Sequence, residues 1–298
     1  MKIINQSVYN FSKENPPCET AEAGELLMFH TMDCFSNKLT SENITMADLD
    51  YGYDVANPAA GPVYIKDAKP GDVLVVDILD IQVADEGTIA TGAGCGPLSD
   101  DMELRTKKIK IVDGVAQFNG VKFPIDPMIG VIGTAPDGER VIDGYPGNHG
   151  GNMDSKKIKK GARVYFPVRV PGALFQLGDI HATMGDGELC GTGIEIPAKV
   201  LVKVSLIHDF ELNWPVTETH THWYVNACAQ EFNEALVNGS RELQRLIMNS
   251  TGWDKTDTYM YMSVQSDVEV NQGCKPCEVP LILRIGTPKL TQFEPLIK

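Results

Sequence analysis

The sequence predicts a mainly β fold, a β-sandwich with a short helical region near the C-terminus. Two observations carry this reading. Apolar residues alternate, or run unbroken, over short stretches separated by glycine-rich turns, and helical periodicity is confined to one late segment. No internal repeat or low-complexity linker interrupts the 298 residues, so one unit over 1–298 is expected, with a helical subregion around 226–267.

In chain order, "GDVLVVDILDIQV" (71–83) is apolar on both parities, which suits a strand covered on both faces. "ARVYFPVRV" (162–170) alternates: Val164, Phe166, Val168 and Val170 share one face, and Arg163, Tyr165 and Arg169 the other. "KVLVKVSLIHDF" (199–210) does the same with Val200, Val202, Val204 and Leu206, and "VPLILRI" (279–285) reads as a last short strand. "NEALVNGSRELQRLIMNSTG" repeats Leu236, Leu243 and Ile247 along one helical face and ends in Gly252, a helix-terminating residue. Gly239 inside it weakens the helix or divides it. "DKTDTYMYMSVQSD" reads as a second short helix with Asp254 as its cap.

The formal net charge of −14 excludes nucleic acid as a partner, because phosphate neutralisation needs a basic face. It also disfavours anionic membrane surfaces and strongly anionic substrates, leaving a small neutral molecule. No apolar run approaches the roughly 18–20 residues of a membrane span, and "MKIINQSVYNFSKENPPCE" lacks a signal-peptide core. Seven irregularly spaced cysteines read as reduced thiols, so a cytoplasmic location is expected.

Chemistry-bearing residues gather in three places. "GDIHATMGDGELCG" (178–191) sets Asp179, His181, Asp186 and Glu188 among glycines after a strand-like run. Asp179 and His181 share a strand face, and Gly185 and Gly187 can turn the chain so that Glu188 returns towards His181. Imidazole with carboxylate suits zinc, manganese or iron, and paired carboxylates suit calcium; an acidic turn with a hydrogen-bonded histidine is the plainer alternative. "GNHGGNMD" (147–154) surrounds His149 and Asn152 with glycines whose N–H groups can hold a developing oxyanion, or it is a hairpin loop. "FHTMDCFSN" (29–37) brings His30, Asp33 and Cys34 together. "CKPC" (274–277) can bind metal or form a disulfide but lacks a second half. His220 and His222 of "THTHWY" read as surface histidines, because no downstream Glu and His complete a cupin-like set.

Together "GPVYIKDAKPGDVLVVDILDI", "GNHGGNMD" and "PVRVPGALFQLGDIHATMGDGELCGTGIE" resemble the acetamidase/formamidase family, in order and wording, from about residue 20 to about 290. The resemblance implies a jelly-roll-like β-sandwich with additional α/β elements, homo-oligomers, and hydrolysis of a short-chain amide to carboxylate and ammonia. It implies a divalent metal near the acidic block, zinc first and calcium as the alternative. Matched position by position, Gly150, Gly151, Asn152 and Asp154 carry G-G-N-x-D, while His181, Asp186 and Glu188 carry G-D-x-H and G-D-G-E. Asp33 stands where relatives show an acid after the first strand.

The expected mechanism places the metal on His181 and Asp33, with His30, Asp154 and Asp186 as further ligands. Glu188 is the expected general acid/base, with a ligand role left open. Asn152, Gly150 and Gly151 are expected to orient the substrate and stabilise the tetrahedral oxygen, with His149 in substrate binding. Two rivals stand beside this: a thiol amidase using Cys34 or Cys190, and a calcium-bound β-sandwich that binds carbohydrate without turnover. Only three Trp are present to serve as sugar platforms.

Overall fold

A computed structural model of the chain describes residues 1–49, 52 and 55–298. Its strands form two large sheets packed face to face, as the alternating apolar stretches require. Among the described residues a nine-stranded sheet runs through Leu26–Thr31, Ala198–Ile207, Val73–Val83, Arg163–Pro167, Val216–Glu218, His222–Ala229, Leu281–Pro288 and the edge strand Asp267–Gln272, with Lys2–Ile4 at the other edge. A seven-stranded sheet contains Pro146–Gly147, Gly150–Asn152, Met128–Gly133, Phe175–His181, Ala59–Ile65, Ser7–Val8 and Glu19–Ala21. Val76, Val164, Phe166, Val200, Val202 and Val204 from the first sheet meet Val63, Ile132, Phe175, Leu177 and Ile180 from the second in one buried core. Phe29 and Phe175 join the sheets edge to face at 5.5 Å.

The doubly apolar stretch behaves as its pattern demands. Leu74, Val76 and Ile78 enter the core between the sheets, whereas Val73 and Val75 enter a second core on the opposite face. That second core explains why Tyr165 is buried although it shares parity with Arg163: two helices, α1 (Phe232–Thr251) and α2 (Lys255–Gln265), lie beside it. The strand predicted over 162–170 ends at Pro167, which has no N–H to continue the ladder.

Helix α1 is continuous through Gly239, against the expected weakening. A Cβ there would lie 2.8 Å from Ile285 Cγ1, so the glycine lets the helix settle onto Leu281–Pro288. Gly252 terminates α1 at φ 75°, donating to Met248 O. Asp254 Oδ1 caps α2 by accepting from Thr256 and Asp257 N–H at 2.8 and 2.9 Å. No helix among the described residues is long and apolar enough to cross a membrane.

The entry to the Val73–Val83 strand is tied by buried Asp72, which accepts from Lys69 N–H and Asp209 N–H and pairs with the His208 ring at 3.0 Å. Burial pushes this carboxyl up, but those hydrogen bonds outweigh it and hold its pKa below the ordinary value of 3.8.

Two outcomes follow. Gly239→Val is expected to lower stability by about 1–3 kcal/mol, read from the urea midpoint. The stability that Asp72 contributes is present above the ordinary carboxylate range and lost as pH falls through its lowered value. Asp72→Asn should therefore be less stable at neutral pH, and its stability should fall less steeply on acidification, as followed by circular dichroism.

Candidate active site

The strand Phe175–His181 delivers Asp179 and His181 to one end of the seven-stranded sheet, both almost wholly buried. His181 lies opposite Met128 and Ile180 opposite Ile129. Asp179 sits at φ 54°, a left-handed conformation inside a strand, and Asp154 (φ 42°) and Glu188 (φ 43°) share it. Such conformations cost on the order of 1–3 kcal/mol each and persist where surrounding structure over-determines them. Space is left by glycine: a Cβ on Gly130 would lie 2.6 Å from both Asp154 Oδ1 and Asp179 Oδ2, and one on Gly193 would lie 2.6 Å from His181 Nδ1.

The glycine turn does return Glu188 to His181, since ligand atoms of Asp154, His181 and Glu188 lie within 4.8 Å of one another. Gly187 holds that turn to the last strands, donating to Asn271 O and accepting from Gly273 N–H, each at 2.9 Å. Around His181 Nε2 stand Glu195 Oε1 at 3.2 Å, Asp179 Oδ1 at 3.5 Å and Asp154 Oδ1 at 3.9 Å. Gln272 Nε2 donates to Asp154 Oδ2 at 2.6 Å and to Glu188 Oε2 at 2.7 Å, so one amide aligns two carboxylates. Asn57 donates to Asp179 Oδ2 at 3.0 Å, and Gly193 N–H to Glu195 Oε1 at 2.8 Å.

Burial and like charge act together here. Burial alone pushes the His181 ring down, yet Glu195 and Asp179 outweigh it and hold its pKa well above the ordinary imidazole value. Burial, with Glu188 and Asp179 adding to it, raises the Asp154 carboxyl well above its ordinary range. Burial likewise takes Glu188 to about 7 and Glu195 to about 8, against the opposing pull of His181. Asp154 Oδ1, Asp179 Oδ1, Glu195 Oε2 and both nitrogens of His181 are buried without a hydrogen-bond partner. Asp154 Oδ1, Asp179 Oδ1 and Glu195 Oε1 all stand around His181 Nε2, a set of oxygen and nitrogen donors of the kind borderline cations take. Among the described residues a second group, Cys34, Asp179 and Glu195, also converges within 4.8 Å. A cavity of about 240 Å³ abuts the cluster, lined by Cys34, Asn57, Asn152, Thr192, Gln272 and Cys274 among others.

Other expected site residues have different employment. Asp33 Oδ1 accepts from Phe35 N–H at 3.0 Å and Asn37 N–H at 2.6 Å, closing the turn after Leu26–Thr31. It is its neighbour Cys34 that falls in with Asp179 and Glu195, so the expected meeting of Asp33 and His181 around one ion is replaced by Asp154 and Asp179 beside His181. His30 lies next to the end of its strand, opposite Lys199 and outside both groups. Asp186 pairs with the fully buried Arg284 at 2.6 Å and with Lys156 at 2.9 Å, neutralising a structural cation rather than joining His181.

Gly150 and Gly151 lie on a strand with ladder partners on both sides, Met128–Gly133 and Pro146–Gly147. Their backbone is spent in the sheet, and a Cβ on either would lie 2.3 Å from a carbonyl oxygen, so close packing rather than an oxyanion hole explains them. Asn152 faces the cavity, donating to Gly144 O while its buried Oδ1 has no partner. His149 is buried edge-on to Phe11 at 4.8 Å, outside the cavity lining, and burial first, then Arg169, lower it to about 3. His220 is exposed and His222 half-buried.

Cys34 is a poor nucleophile: burial, with Glu195 and Asp179, raises its thiol well above the ordinary value. Sequence reasoning missed Glu195, Gln272 and Asn57. Glu195 alone had a signal, an acid between two isoleucines in "GIEIP".

The family model described as "Acetamidase/Formamidase family" matches residues 5–143 and 137–274. The chain belongs to the acetamidase/formamidase family. The crystal structure of an acetamidase from Bacillus halodurans is 36% identical with TM-score 0.91, covering 96% of this chain and 97% of that one. That of a recombinant predicted acetamidase/formamidase from Thermoanaerobacter tengcongensis is 38% identical with TM-score 0.92, over 96% and 95% of the two chains. Among curated proteins, a formamidase of Methylophilus methylotrophus is 30% identical over 214 residues, which is 50% of this chain and 51% of that protein. The chain spans about half the length of the curated family members it matches, up to 62% of one.

Gly193→Ala would push a methyl carbon against His181 Nδ1. The variant is expected to lose about 1–3 kcal/mol of stability, read from the urea midpoint.

Proposed function

We propose that the protein hydrolyses the C–N bond of short-chain amides of the formamide and acetamide type, releasing carboxylate and ammonia with the help of a divalent cation. One observation carries the reading: Asp154 Oδ1, Asp179 Oδ1 and His181 Nε2 converge, buried and unpartnered, beside a cavity of about 240 Å³. Family membership supplies the reaction class, and the small cavity suits a small neutral amide.

Asp154, Asp179 and His181 would hold the cation; zinc fits the mixed imidazole and carboxylate donors, with calcium as the alternative. Such an ion supplies Lewis acidity, polarising a carbonyl and lowering the pKa of a water towards about 7.

The chain's own groups do the rest. Glu188 takes a proton from the attacking water and returns it to the departing nitrogen, which must leave as ammonia because amide anion is too basic. Gln272 fixes the direction of the Glu188 carboxylate through its 2.7 Å hydrogen bond. Asn152, a cavity-lining residue whose buried Oδ1 has no partner, accepts an N–H of the substrate amide there and sets its orientation. Glu195 Oε1 stands 3.2 Å from the same His181 Nε2 and would be a further oxygen donor to the cation.

Purified protein should release ammonia from formamide and acetamide, lose this after exhaustive chelation and regain it with zinc; undiminished turnover in metal-free protein sinks the cation. Glu188→Gln should keep its metal, by elemental analysis, and lose about 10²–10⁴ in kcat. Loss of metal together with activity would move Glu188 into the coordination shell.

A further inference from the structure

The one motif left without a role is "CKPC". Cys274 and Cys277 are both buried, and their Sγ atoms lie 3.2 Å apart as thiols. Lys275 Nζ donates to Val279 O at 2.6 Å and Cys277 O at 3.3 Å, folding the loop so that both thiols turn inward together. Among the described residues no third His, Cys, Asp or Glu ligand joins the pair within 4.8 Å, which separates it from a closed zinc site. The Cys277 thiol is lowered to about 6, first by the hydrogen bond from Cys274, with Lys275 assisting.

This loop is joined to the catalytic cluster. Cys274 lines the cavity beside Gln272, and its carbonyl accepts from Gly96 N–H at 2.6 Å. Gly273 N–H bonds Gly187 O at 2.9 Å, next to Glu188, and Gln272 holds Asp154 and Glu188. Closing a disulfide draws the sulfurs together by about 1 Å, a movement that begins two residues from Gln272.

We propose that Cys274 and Cys277 form a modification site, a dithiol oxidised reversibly by hydroperoxides to a disulfide that disturbs the adjoining catalytic cluster. The Cys277 thiolate, between exposed Pro276 and Glu278, attacks the peroxide O–O bond. An S–O bond forms, the O–O bond breaks and hydroxide (alcoholate for an organic peroxide) leaves. Cys274 then attacks the Cys277 sulfenic sulfur, forming S–S and expelling the second oxygen as water. The two sulfurs supply two electrons, the peroxide is reduced, and the thiol protons end on its oxygens. A small-molecule dithiol reverses the closure by thiol–disulfide exchange. The effect on turnover rests on the amidase reading; the oxidation itself does not.

The test treats full-length protein with hydrogen peroxide, traps remaining thiols and analyses peptides by mass spectrometry. The peptide carrying both cysteines should become lighter by two hydrogens and revert with dithiothreitol. Hydrogen exchange should change across residues 185–191, and ammonia release should fall about tenfold or more, as small misplacements do, and recover on reduction. Cys277→Ser should hold its turnover under the same peroxide. An unchanged peptide mass, a disulfide that alters neither exchange nor turnover, or Cys277→Ser inactivated like the parent would each overturn the proposal. Absence of ammonia release from untreated protein would refute the amidase reading instead, and mass and exchange would still judge the dithiol. Reversal in the parent protein keeps the test sound should the variant not fold.

Discussion

Four buried carboxyl groups, Asp154, Asp179, Glu188 and Glu195, crowd around one buried imidazole, His181. Like charges at this spacing cannot all ionise in a low-dielectric interior unless a positive charge stands among them. The raised pKa values of Asp154, Glu188, Glu195 and His181 are two faces of that constraint: acids resist losing protons, and the base holds its own. The proposed divalent cation would answer it, meeting the charge and satisfying orphaned atoms of the cluster together.

Keeping such a cluster in place requires a scaffold that tolerates strain. Three of the acids sit at positive φ without being glycine; Gly130 yields space to Asp154 and Asp179, and Gly193 yields it to His181. The surrounding support is the sandwich core, whose close-packed strands leave few ways to relax. Gln272 and Asn57 then aim the carboxylates, so the arrangement is held at two levels, backbone and hydrogen bond. Gln272 comes from the edge strand of the other sheet. The site is therefore assembled across the sandwich, and anything that shifts that edge reaches it.

Family membership and the fold point to a reaction class, while this chain's own cavity gives the reading its scale. About 240 Å³ beside the cluster favours substrates of a few heavy atoms. The net charge of −14 agrees with a neutral substrate, since the chain's overall negative charge disfavours an anion.

Much was determined by the sequence alone. Alternation in 199–210 and the doubly apolar run at 71–83 specify strands and their buried faces, because side-chain direction along a strand has period two. Asp254 and Gly252 mark helix ends because capping is local chemistry. His181 with Asp179 and Glu188 was legible for the same reason: one strand and one glycine turn suffice to bring them together. Which distant residues complete the cluster was decided only by tertiary structure. Asp33 and Asp186 look as suitable as Asp154 and Glu195 when read as letters. In space Asp33 is consumed by its own turn and Asp186 by the buried Arg284. Meanwhile Glu195 is brought to His181 by a bridge between their backbones, and Gln272 arrives from an edge strand 84 residues beyond Glu188. Spacing along the chain carries no information about such meetings, because packing of sheet against sheet sets them.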